Sequence, residues 1–104
     1  MTQTATLLLR KQDRLRLLAL LAQHLPGVKA RAFGSRVTGQ AHEASDLDLA
    51  LISPNAQAIS THQLEQFRQA VNDSNHPILV DARDWAMLPK SFHTEIEKAY
   101  VDLS

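Results

Sequence analysis

From Asp46 to Leu51 the chain alternates acidic and small or aliphatic side chains, Asp46-Leu47-Asp48-Leu49-Ala50-Leu51. A period of two belongs to an extended strand, whose successive side chains point to opposite faces. Leu47, Leu49 and Leu51 therefore form a face that packs on a core. Asp46 and Asp48 share the other face, with Cα atoms roughly 6–7 Å apart. The alternation predicts a strand from Leu47 to Ile52, ended by Ser53-Pro54-Asn55.

A second segment repeats the arrangement. Ile78 to Arg83 reads as a strand in which Ile78, Val80 and Ala82 point one way and Asp81 the other. If the two strands are neighbours, Asp46, Asp48 and Asp81 converge on one sheet face. Close carboxylates oppose one another's ionisation, and a divalent cation removes that penalty. Magnesium fits this donor set best, because it favours a few carboxylates together with phosphates and water. Two such ions can clamp the attacking and leaving oxygens of a phosphoryl displacement.

Separated from Asp46 by ten residues, Gly34-Ser35 follows a short predicted strand, Val28 to Phe33. Glycine permits positive φ and a close backbone approach to a ligand. A turn or short helix from there to about Gly39 would aim free N–H groups and a positive dipole end at an anion. The Ser35 hydroxyl can donate to a phosphate oxygen. Arg36 either adds a charge-assisted contact there or faces solvent. Arg83 shares the Asp81 face and either pairs with that carboxylate, the favoured reading, or touches phosphate. Asp84 reads as a cap at the strand exit.

The remaining pattern completes an α+β order, α-β-α-β-α-β-α, with a short mixed sheet of three or slightly more strands flanked by helices. Leu7 to His24 is the first helix, stopped by Pro26-Gly27. Leu15, Leu18, Leu21 and Leu25 are expected on one face, with Leu17 and Leu20 beside it. So wide an apolar face serves the core or a partner. Ser60 and Gln63 have capping-box spacing for a helix through about Val71 that buries Leu64 and Phe67. Pro89 and Ser91 open a final helix expected to carry Phe92, Ile96, Tyr100 and Leu103 along one side. Trp85, Phe33, Phe67 and Phe92 are expected in the core. The five histidines show no metal-ligand spacing; His42 alone lies in the loop leading to Asp46.

Composition narrows the class. The 104 residues suit one domain, 1–104, and 44% hydrophobic content suffices for a core. Eleven basic and eleven acidic side chains cancel, which argues against a surface for direct nucleic-acid binding. The chain has no cysteine, as befits a cytoplasmic protein, and no apolar run long enough to span a membrane.

The stretch Ala32-Phe33-Gly34-Ser35-Arg36, with Gly39, Ser45-Asp46-Leu47-Asp48 and Val80-Asp81-Ala82-Arg83-Asp84-Trp85, resembles the nucleotidyltransferases of the DNA polymerase β superfamily. So short a chain looks like the minimal nucleotidyltransferase (MNT) branch, whose members are antitoxins paired with HEPN-domain ribonuclease toxins. The resemblance implies that Asp46 and Asp48 hold metals, and that Asp81 holds the catalytic metal and helps deprotonate an acceptor hydroxyl. It implies Gly34, Ser35 and Arg36 as nucleotide-binding residues, two magnesium ions, ATP as donor and a HEPN toxin as acceptor, modified by AMP on a tyrosine hydroxyl. About twenty residues follow the third strand, enough for one helix, so a partner is expected to complete the pocket. The alternative is an antitoxin that neutralises its toxin by occlusion without catalysis. Transfer to a small molecule such as an antibiotic ranks last, because a substrate domain is lacking.

Overall fold

The computed structural model describes residues 7, 9–38, 46–74 and 78–103. Gly39, His42 and Ser45 lie outside the described residues, as does His76. Along the chain run α1 (Lys11–His24), β1 (Lys29–Phe33), α2 (Ser35–Thr38), β2 (Leu47–Ile52), α3 (Thr61–Asp73), β3 (Val80–Asp84), α4 (Lys90–Lys98) and β4 (Val101–Asp102). Short 3-10 turns follow β2 at Pro54–Ala56 and β3 at Trp85–Met87.

The strands form one sheet in the order β3-β2-β1-β4. β1 is antiparallel to β2 and to β4, while β2 and β3 run parallel, joined across α3. The sheet is therefore mixed, as expected, and β2 has the predicted bounds. One face carries Leu47, Leu49, Leu51, Ala30, Ala32 and Ala82 into the main core, where they meet Leu17 and Leu21 of α1 and Leu64, Phe67 and Val71 of α3. The other face carries Phe33 and Ala50 against Ile96 of α4, with Phe92, Trp85 and Tyr100 packed around them. Phe33 and Phe92 meet edge to face, centroids 5.7 Å apart.

Ser60 starts α3 as predicted: its hydroxyl accepts from the Gln63 N–H at 3.2 Å, satisfying one of the orphan donors of the first turn. β3 is an edge strand, and unpaired edges invite association. Arg68 of α3 donates twice to the Ala82 carbonyl, at 2.6 and 3.2 Å, which occupies part of that strand's backbone.

Two expectations are corrected. The stripe of α1 that faces the sheet is Leu17, Leu21 and the following Leu25, all at most 4% exposed, while Leu15 points to solvent at 54%. The i, i+4 row continues back to Asp13, itself buried, so the true stripe opens with a carboxylate. The last helix stops at Lys98, and Tyr100 and Leu103 are not on it. Ala99 turns extended, and Val101 and Asp102 pair with Ala32 and Arg31 as a fourth strand. Arg14 of α1 fastens this end by donating to the carbonyls of Leu103 (2.8 Å) and Asp102 (2.9 Å). The edge of β1 thus gains hydrogen-bond partners that a longer helix could not supply.

Asp84 caps the strand exit, accepting from the Ala86 N–H at 3.1 Å. Its second oxygen accepts from the Ile59 N–H at 2.8 Å and ties the approach to α3 onto β3. The residue is 6% exposed. Asp84→Ala strands both donors and is expected to cost about 2–3 kcal/mol. Urea unfolding would read this loss, and a loss below about 0.5 kcal/mol would rule the two bonds out as a structural tie.

Candidate active site

The register of three strands builds the site. Phe33 of β1 lies opposite Asp48 of β2, and Asp48 lies beside Asp81 of β3. Two of the three predicted carboxylates are thus lateral neighbours on the face away from the main core. Asp46 sits one residue before β2 and is exposed. Burial, then the charges of Asp81 and Asp46, push the Asp48 carboxyl above its usual range, and Arg83 offsets part of that rise. The three groups therefore share one electrostatic neighbourhood.

They do not yet form a ready-made cage. Among the described residues no three acidic or imidazole side chains stand together as a metal-binding group. Asp81 instead turns one oxygen to Arg83, whose Nη2 and Nε lie 3.1 and 3.3 Å from it. The expected Asp81–Arg83 pair is present.

Gly34 follows β1 with φ at +83°, the positive value its sequence context called for. Its second role was not legible beforehand. A Cβ built on Gly34 would stand 2.5 Å from Oδ2 of Asp48, so the missing side chain is the space in which that carboxylate sits. The signal was indirect: Phe33 pairs with Asp48 only once the β1–β2 register is known. Ser35 opens α2, and its side chain lies outside what the structure describes. With four residues α2 carries little of the summed dipole of a longer helix, and its Val37 N–H already donates to the Gly34 carbonyl at 3.0 Å. Arg36 is 7% exposed, so the solvent-facing alternative is excluded.

The other polar groups on this face are held elsewhere. Arg31 lies 3.6 Å from Asp102 and beneath two rings, Tyr100 at 4.3 Å and Trp85 at 5.5 Å. His93 stacks on Trp85 with centroids 3.8 Å apart, and its Nε2 lies 2.7 Å from the Trp85 carbonyl. This ladder of rings and guanidinium joins β1, β4 and α4. Sequence reading placed Trp85 in the core and Tyr100 along the last helix, without seeing the ladder. No helix among the described residues is long and apolar enough to cross a membrane.

The oxygen donor set fits a hard divalent cation. One carboxylate is half-buried and raised by its neighbours, a glycine leaves the space it occupies, and a single exposed arginine supplies counter-charge. The Gly34 turn and the paired strand carboxylates Asp48 and Asp81 thus lie side by side on one face of the sheet. The family model for the nucleotidyltransferase domain matches residues 15–102, and the chain belongs to that family. The chain is 36% identical over 101 residues to the probable protein adenylyltransferase MntA of Haemophilus influenzae, covering 97% of this chain and 87% of that one. Its fold is also that of a toxin–antitoxin complex crystallised with AMP-PNP, at TM-score 0.72 and 20% identity, covering 88% of this chain and 72% of the other. A complex of the tri-AMPylated HEPN toxin of Shewanella oneidensis with its MNT antitoxin matches at TM-score 0.70 and 16% identity, over 92% and 72% of the two chains.

Proposed function

We propose that this protein is an antitoxin nucleotidyltransferase that transfers AMP from ATP to a hydroxyl, a tyrosine above all, of a cognate HEPN ribonuclease toxin. The observation that carries the reading is the in-register pair Asp48–Asp81 beside the Gly34 turn, in a chain 36% identical to a probable protein adenylyltransferase.

Asp46, Asp48 and Asp81 would hold two magnesium ions. When bound, these supply positive charge to the triphosphate and acidify the acceptor hydroxyl. The backbone N–H groups at Gly34-Ser35 bind phosphate oxygens, and the buried Arg36 adds positive charge next to that turn. The acceptor oxygen then forms a bond to the α-phosphorus as the bond to the bridging oxygen breaks. Pyrophosphate leaves, and the hydroxyl proton passes to the Asp81 carboxylate. The toxin supplies the acceptor and completes the pocket around the base.

The test is ATP labelled at the α-phosphate, incubated with magnesium, this protein and the protein encoded beside it. Label is expected on the neighbour with the parent chain and at least about 1,000-fold less with the Asp46→Asn/Asp48→Asn variant. A stable complex without label, equally protective with both chains, would establish neutralisation by occlusion instead.

A further inference from the structure

Two arginines lie on the acidic face of the sheet, and they differ in what holds them. Arg31 is clamped between Tyr100 and Trp85 and paired with Asp102. Arg83 lies opposite Ala50, on the edge strand β3. Its side chain is 49% exposed, and it reaches Asp81 with two N–H groups on one oxygen. The Phe92 ring lies 5.9 Å away, at the outer limit of a cation–π contact. Arg83 can therefore leave Asp81 without breaking a packed structure.

We propose that Arg83 is a positioning residue that stands in for a cation at Asp81, and that it gives Asp81 up only when a metal ion and a polyphosphate arrive together. This rests on the reading of Asp46, Asp48 and Asp81 as metal ligands. A bare cation must displace the guanidinium and then endure its positive charge nearby. A metal–nucleotide complex offers both partners of the exchange: Asp81 gains the cation, and Arg83 gains phosphate oxygens, which suit its planar fork of donors. An exposed ion pair is weak, so the lock is light and easily reversed. It biases the site toward the loaded nucleotide over free metal. It also explains why Asp81 faces Arg83 rather than joining Asp46 and Asp48 in a cage.

The experiment titrates Mn2+ into the full chain by calorimetry and by the loss of free-ion EPR signal, without nucleotide and then with AMP-PNP. Arg83→Gln is expected to tighten binding of Mn2+ alone by about two- to fivefold. The same variant should weaken Mn2+–AMP-PNP binding by about tenfold. A double-variant cycle separates the lock from a general loss of positive charge. With Asp81→Asn, where Asp46 and Asp48 still hold an ion, Arg83→Gln should tighten Mn2+ by clearly less, because only the loss of a nearby positive charge remains. An equal gain in both backgrounds, or no gain in either, would overturn the lock. Mn2+ binding that survives Asp46→Asn/Asp48→Asn would overturn the metal reading itself, a separate outcome. Because Arg83 is exposed, the variant is expected to melt as the parent does.

Discussion

Asp48→Asn is expected to abolish AMP transfer, with a loss of about 1,000-fold or more, while leaving the metal-free protein more resistant to heat than the parent. Both effects come from one environment. Asp48 is half-buried, and Asp81 and Asp46 both oppose its charge, with Arg83 the smallest influence. An amide of the same shape keeps the packing of this half-buried side chain and removes its charge. It gains relief from desolvation and from two like charges. The melting temperature of the apo variant should therefore rise by a few degrees. Adding magnesium and AMP-PNP should reverse the order. A ligand at one hundred times its Kd stabilises the parent by about 2.7 kcal/mol and does nothing for a chain that cannot bind it. Thermal scans with and without ligand would show the crossing. A variant that melts below the parent in both conditions would mean that Asp48 is a structural residue.

The pH dependence has a definite sign. A carboxyl raised in the folded state holds its proton more tightly there than in the unfolded chain. Around that carboxyl's titration the folded protein binds more protons, so its stability falls as pH rises. The fall begins in the ordinary carboxylate range and is complete once pH passes the raised value of Asp48. Above it, the metal-free protein carries the full penalty. In Asp48→Asn this component of the pH profile should vanish.

Parts of this were readable from the chain because local pattern and tertiary environment agree. The alternation that opens at Asp46 and the Ser53-Pro54-Asn55 stop marked the bounds of β2, and Ser60 with Gln63 marked the start of α3. Asp81 and Arg83, two apart on a strand, could only share a face. The misreadings have equally local causes. Tyr100 and Leu103 follow Ile96 at helical spacing, yet β4 is two residues long and exists only because β1 has an open edge beside it. The stripe of α1 was placed too far round because the true row begins at Asp13, and an acidic residue argues against burial until its surroundings are known. For the site, residue types and spacing pointed to the chemistry. The pairing of Asp48 with Asp81, and the contact of Gly34 with Asp48, depend on strand register, which no window of sequence contains.

That last contact makes Gly34→Ala the sharpest test of the geometry. Two separate penalties meet at this position. At φ +83° an alanine sits in the left-handed region, at a cost of about 1–2 kcal/mol. Its Cβ would also lie 2.5 Å from Oδ2 of Asp48, closer than real side chains come. The carboxylate is the free end of a short side chain, so it turns away rather than forcing the sheet apart. Folding should survive, with a melting temperature lower by roughly 4–8 °C for each kcal/mol lost. Activity should fall much further, by about 100-fold, because a misplacement of about 1 Å at a reacting centre costs that much. The two penalties separate in an Asp48→Ala background, where the oxygen is gone. There Gly34→Ala should retain only the cost of its backbone angle, so its effect on stability shrinks. An unchanged stability loss in that background would show that Gly34 serves the turn alone. A smaller one would establish that the missing side chain of Gly34 is the space the carboxylate needs, so that turn and strand fit against each other.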